Sequence, residues 1–357
     1  MPTIPPIDLK CRACLAPHVV ILGAGASVAA FPSGDANGKA LPLMSNLVQI
    51  LGLKATMEKH GISGEIADFE AFYDGLIASG MNPVLTTEIE QSIQNYFSQL
   101  KLPEEVTLYD QLLLSLREKD VIATFNWDPF LAQAYRRNAH IKRLPLLAFL
   151  HGNVEVGTCV MHRQKGWIFQ QCPECKKELQ RSRLLYPVRR KDYNTDGFIK
   201  NEWDMLRASM GSAYFITIIG YSAPTADIEA KRLMLDQWRD NPIRWLAQIE
   251  IVDLKPRHEL EATWRDFLAT ADDRRNVAIS KSVFDTQAFR YVRRSCDALA
   301  MATLQQDPFS ENPFPFTNDL KKLHAWLEPL VQEEEVKRFS GNRIPELGAR
   351  PLHLLNQ

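Results

Sequence analysis

His18-Val19-Val20-Ile21-Leu22-Gly23-Ala24-Gly25-Ala26-Ser27 sets a short, almost uniformly apolar run directly before two glycines separated by one alanine. A run this short, without helical periodicity, reads as a strand buried on both faces. At Gly23 and Gly25 the missing side chains let a pyrophosphate approach the backbone, and the following helix N-terminus faces its charge. A tight strand-to-helix turn without a nucleotide has the same spelling. Val28 stands where a dehydrogenase fingerprint wants Gly or Ala, and Asp35 comes too early for the acidic ribose ligand expected about 20 residues further on.

Further runs of the same kind follow: DVIATFNWD from Asp120, LLAFLHG from Leu146, AYFITIIGYS from Ala213 and QIEIVDLKP from Gln248. Each ends in Gly, Pro, Asn or Asp, as strands do at turns. Between them lie stretches with helical spacing, including LMSNLVQILGL from Leu43, EIEQSIQNYFSQL from Glu88 and LYDQLLLSLREK from Leu108. Strands alternating with helices predict an α/β fold: a Rossmann-type parallel sheet with helices on both faces. The expected organisation is an N-terminal extension over 1–17, a nucleotide-binding domain over 18–260 and a C-terminal strand and helical extension over 261–357. Within the domain, about 40–118 is too long for one crossover and predicts a helical insertion, and about 154–185 predicts a small metal-stapled module. NVAISKSVF near residue 276 is a candidate for another strand, and the Gly/Pro-containing tail reads as mobile.

A length of 357 residues allows one large α/β domain with insertions. Apolar and charged fractions of 45% and 24% are those of a globular protein, and a net charge of −1 argues against a general nucleic-acid binder. No run approaches the roughly 20 apolar residues of a membrane span, and MPTIPPIDLKCRAC lacks the apolar core of a secretory signal. The expectation is a soluble, cytoplasmic protein. Its six cysteines, Cys11, Cys14, Cys159, Cys172, Cys175 and Cys296, include Cys-x-x-Cys pairs, which in a reducing compartment point to metal. Cys159 and His162 with Cys172 and Cys175 make one tetrahedral set suited to structural zinc; Cys11 and Cys14 with Cys172 and Cys175 make another.

Two strand ends carry candidate chemistry. Thr124-Phe125-Asn126-Trp127-Asp128 sets an amide and a carboxylate at one edge, and the next strand ends in His151-Gly152-Asn153. Ligands of open α/β sheets sit at that edge, where a histidine can serve as general base near neutral pH. Asn126 and Asp128 are also plausible caps for the helix that follows Pro129. His18, His60, His140, His258, His324 and His353 read as core or surface residues. The basic group Arg181, Arg183, Arg189, Arg190 and Lys191 reads as a solvated face, and the acidic run from Glu333 to Glu335 as exposed helix.

GAGAS, TFNWD, HGN, the Cys/His module, Gly220-Tyr221-Ser222 and VDLKP occur in an order that resembles the Sir2 (sirtuin-like) superfamily over roughly residues 18–256. That resemblance implies NAD as substrate and structural zinc. By it, Gly23, Ala24, Gly25 and Ser27 line the diphosphate and adjoining ribose, while Asn126 orients the nicotinamide ribose. Asp128 assists there and His151 is the base. Gly220 and Ser222 contact cofactor phosphate or ribose, and Asp253 approaches the adenosine ribose. Asp227 follows the GYS loop as an acid does in many Sir2-like proteins, although helix capping explains it equally. His162 departs from the four cysteines usual in the family. The Phe-Arg pair of deacylases is missing from AAFPSGDANGKALPLM, and GYSAPTAD is closer to Sir2-like bacterial proteins that hydrolyse NAD in antiphage defence. The resemblance therefore implies an NAD+ hydrolase releasing ADP-ribose and nicotinamide, with a protein-lysine deacylase and a non-catalytic NAD or ADP-ribose sensor as alternatives. A hydrolase of this kind must be restrained, so a homo-oligomer and a protein activator or regulatory partner are expected. No sequence-specific nucleic-acid contact and no membrane are expected.

Overall fold

The structure, a computed structural model, describes residues 15–188, 191–224, 227–267 and 277–339. Cys11, Cys14, Arg189, Arg190 and the tail beyond 339 lie outside the described residues. The strands are β1 (His18–Leu22), β2 (Val121–Thr124), β3 (Leu146–Phe149), β4 (Val156–Cys159), β5 (Gln164–Trp167), β6 (Gln180–Arg181), β7 (Phe215–Ile219), β8 (Gln248–Val252) and β9 (Val277–Ser280). Among the helices, α1 (Ala24–Ala30), α2 (Leu47–Ile50), α3 (Lys54–Lys59), α4 (Phe69–Ser79), α5 (Pro83–Ser98) and α6 (Leu108–Ser115) precede β2. Later come α7 (Phe130–Asn138), α8 (Gly197–Met210), α9 (Ile228–Arg239), α10 (Arg257–Trp264), α11 (Gln287–Arg290), α12 (Ser295–Ala300) and α13 (Leu320–Phe339).

Six strands form one sheet in the order β3-β2-β1-β7-β8-β9, every neighbour pair parallel. Counting only these six, that is the Rossmann order 3-2-1-4-5-6, with its topological switch between β1 and β7. Every residue of β1, β2 and β7 is buried. Since successive side chains point to opposite faces, both faces of the sheet centre are covered. NVAISKSVF supplies β9, the edge strand beyond β8.

The 40–118 segment is helical because its starts are well capped. Asp68 accepts from Ala71 N, Asn82 accepts from Leu85 N ahead of Pro83, and Thr107 and Asp110 form a capping box. Helix α5 buries Leu85, Ile89, Ile93 and Phe97, one stripe at a spacing of four. The stretch from Leu43 gives only the short α2, since Gly52 follows in the left-handed region at φ 67° and ends it.

Two sequence expectations are corrected. Glu334 is buried rather than exposed, because Arg293 and Arg294, themselves fully buried, need its carboxylate as partner. Lys191 is likewise buried rather than on a solvated face, paired with Asp227 at 2.5 Å. No helix among the described residues is long and apolar enough to cross a membrane.

Candidate active site

The strand ends meet at the switch point. Gly23 N donates to Ile219 O and Gly25 N to Gly220 O, each at 3.0 Å, so the loops after β1 and β7 lie backbone to backbone. A Cβ on Gly23 would sit 2.5 Å from Gly220 O, and one on Gly220 would sit 2.3 Å from Ala26 N. Loop-to-loop packing thus needs the glycines, whatever ligand lies above them.

Ser27 is the hub beside this seam. Its hydroxyl donates to Asp128 Oδ2 at 2.6 Å and receives Asn126 Nδ2 at 3.0 Å, with Tyr109 OH 2.6 Å away. One proton and two lone pairs are all a serine offers, so these three contacts use its whole capacity. Asn126 Nδ2 also donates to Gly23 O at 2.9 Å. Both amide protons being engaged, what Asn126 can offer a ligand is its Oδ1 acceptor. Asp128 is closed in further: its Oδ1 receives Phe130 N at 3.3 Å and its carbonyl receives Asn153 Nδ2 at 2.6 Å. Burial raises its pKa to about 6 against the hydrogen bonds from Ser27 and Phe130. The same burial, with Asp128 nearby, lifts Tyr109 well above its ordinary range.

His151 stands two residues beyond Phe149, as Asn126 stands two beyond its sheet partner Thr124. The register therefore brings Asn126 and His151 to matching positions on adjacent strand ends. Gly152 lets the chain leave at φ 77° and lies so close to Arg183 O that a Cβ would stand 2.0 Å from it. Leu185 N donates to His151 O at 2.9 Å, which ties the metal module's return to this strand end. The imidazole packs edge-on to Phe125 at 4.8 Å and parallel to Tyr193 at 6.2 Å. Burial lowers its pKa to about 4, with Asp227 opposing and Lys191 assisting. His151 is therefore neutral near pH 7.

Asp227 occupies the N-cap position of α9 without a side-chain capping bond. Its Oδ1 receives Lys191 and its Oδ2 receives Tyr221 OH at 3.1 Å. Ser222 is exposed beside this loop. Asp253, at the end of β8, accepts from Lys255 N at 2.9 Å and so closes its own turn. Tyr109 and Tyr193, which the sequence did not single out, complete the site with Tyr221 of the GYS motif and Lys191, which the sequence placed on a solvated face. Only tertiary structure brings Tyr109 from α6 and Lys191 from the post-module segment to these strand ends.

The local ligand set assembles. The ligand atoms of Cys159, His162, Cys172 and Cys175 all lie within 4.8 Å of one another, on the module whose sheet order is β5-β4-β6. Zinc bonds of about 2.3 Å to sulfur and 2.0 Å to nitrogen set tetrahedral edges of about 3.8 Å between sulfurs and about 3.5 Å between sulfur and nitrogen. The observed separations are 3.7 Å for Cys159 to Cys175, 3.5 Å for Cys159 to His162 Nδ1 and 3.6 Å for Cys172 to His162 Nδ1. The donors fit a tetrahedral structural zinc.

No family model and no curated protein matches the chain. Among solved structures it is similar to a Sir2 homologue in complex with NAD, at TM-score 0.33 and 13% identity, covering 85% of this chain and 95% of that one. It is also similar to Sir2 with a p53 peptide and NAD+, at 0.35 and 16% over 84% and 96%. Sir2 bound to acetylated peptide gives 0.31 and 17% over 81% and 93%. Scores this low carry no inference about ligand or activity, which rest on the site itself.

Proposed function

We propose that the chain is an NAD+ hydrolase that breaks the nicotinamide-ribose bond at the edge formed by the ends of β1, β2, β3 and β7. The observation that carries this reading is the pairing of Asn126 and His151 at matching positions on adjacent strand ends of a Rossmann-ordered sheet. Asn126, anchored by both amide protons, offers Oδ1 to a ribose hydroxyl. His151, held neutral by burial, accepts the proton of the attacking water. In that step the water oxygen bonds to C1′ and the electron pair of the broken bond leaves on the nicotinamide nitrogen. The products are ADP-ribose, nicotinamide and a proton passed from His151 to solvent.

Gly23, Ala24, Gly25, Gly220 and Ser222 border the same edge and are assigned to the cofactor's phosphates and ribose, with Asp253 toward the adenosine ribose. Zinc held by Cys159, His162, Cys172 and Cys175 has a structural role, since four protein ligands leave no position for water. The altered loops after GAGAS and around GYS support hydrolysis over deacylation and, by resemblance, a restrained effector of antiphage defence.

Pure protein is incubated with NAD, with and without an acylated peptide, and the products are identified by mass spectrometry. The expected result is free ADP-ribose without peptide, abolished in Asn126→Ala and His151→Ala. O-acyl-ADP-ribose formed only with peptide replaces hydrolysis by deacylation, and NAD intact throughout leaves a sensor or a hydrolase awaiting its activator.

A further inference from the structure

We infer that Asp227, held in place by Lys191 and Tyr221, is the positioning carboxylate of His151, a role that rests on the hydrolytic reading above. His151 Nε2 is buried without a hydrogen-bond partner and faces Asp227 Oδ1 at 3.8 Å. A shift of under about 1 Å brings the two to hydrogen-bond distance. With Nε2–H directed at Asp227, the ring's lone pair lies on Nδ1, where it takes the proton from water. This is the base-and-orienter arrangement that activates nucleophiles in unrelated hydrolases.

Packing alone gives no reason for the charges. Asp227 and Lys191 are each 6% exposed. Tyr221, which bonds Asp227, stacks on Phe125, and Tyr193 lies parallel to the His151 ring; an apolar pair of similar volume in such a place is commonly as stable or more so. Asp227 also leaves unused the helix-capping bond its position invites. Burial alone would raise the Asp227 carboxyl, but the charge of His151 once protonated, the charge of Lys191 and the hydrogen bonds from Lys191 and Tyr221 hold it below its ordinary range. Among the described residues, the charged or titratable groups around the imidazole are Asp227, Lys191 and Tyr193, with Tyr221 bonded to Asp227 and half-buried Glu70 of α4 beyond the pair.

The test is histidine-selective NMR of the full chain, with the His151 signal assigned by its loss in His151→Ala. The wild type is expected to show the Nε2–H tautomer. Lys191→Met should raise the His151 pKa and Asp227→Asn should lower it, each by about half a unit or more. Asp227→Asn should also lower kcat about tenfold or more with little change in KM, while Lys191→Arg restores the wild-type titration. If Asp227→Asn does not fold, the tautomer and the raised His151 pKa of Lys191→Met carry the test. An unchanged His151 tautomer and pKa in folded Asp227→Asn and Lys191→Met overturns the inference. NMR shifts in a protein that leaves NAD intact sustain the dyad and count against the hydrolase reading alone.

Discussion

Ser27 shows how one small side chain organises a site. It joins Asn126 and Asp128, on the loop after β2, to Tyr109 of α6. Ser27→Ala removes the hydroxyl from three partners and leaves a buried carboxylate with one fewer donor. The expected outcome is a roughly 10- to 100-fold loss of NAD cleavage, on the scale of a lost positioning bond, with the fold retained by circular dichroism. Wild-type turnover in that variant sinks the hub. Asn126, Asp128 and His151 were legible in the sequence because each sits within a few residues of a recognisable strand end, and Asp227 only through its place after the GYS loop. Tyr109 and Lys191 were not, since one reads as a helix-face residue and the other as one charge in a basic run.

At the scale of elements, two devices hold the site's surroundings. The metal module begins after His151 and returns at Leu185 to bond its carbonyl, so metal binding is coupled to the placement of the histidine. Purified protein is expected to carry one equivalent of zinc per chain by mass spectrometry. Chelation or Cys172→Ser should lower the melting temperature and NAD cleavage together; full activity in metal-free protein refutes the coupling. The second device is α13, which docks Leu323, Leu327, Leu330 and Val331 against Leu114, Leu144 and Val292. Its Glu334 bonds Arg293 through both carboxylate oxygens, at 2.9 and 2.6 Å, and Arg294 at 2.8 Å. Glu334→Ala removes the carboxylate partner of buried Arg293 and leaves Arg294 with Glu333 at 3.3 Å, which should cost about 3 kcal/mol in urea denaturation. A loss under about 1 kcal/mol would mean that the arginines find other partners.

Across the whole molecule, a polar chain runs through the sheet below the site. His18 Nε2 lies 2.7 Å from Thr217 Oγ1, which donates to Glu250 Oε2 at 2.8 Å, linking β1, β7 and β8. Burial raises the Glu250 pKa to about 7 and lowers that of His18 to about 4. The folded state binds Glu250's proton more tightly than the unfolded chain does. That stabilisation is present below about pH 4.5 and is lost as pH rises through about 7. His18 acts in the opposite sense, because the unfolded chain takes its proton first as pH falls from 6.5 toward 4. Glu250→Gln removes only the first effect. Relative to wild type, the variant should gain up to about 3 kcal/mol between pH 4.5 and 7.5, read from denaturation midpoints at the two pH values. A constant difference between the two proteins refutes the buried proton.

The sequence by itself determined the strands of the parallel sheet and its class, and offered Cys159, His162, Cys172 and Cys175 as one of two candidate metal sets. Apolar runs must be covered on both faces, and ligands spaced two residues apart on tight turns meet without help from distant chain. Tertiary structure decided the rest: the glycines of two loops pressed together, Ser27 saturated by three partners, and Lys191 buried against Asp227. Those outcomes depend on which strand lies beside which, and strand order depends on crossover packing rather than on any local pattern.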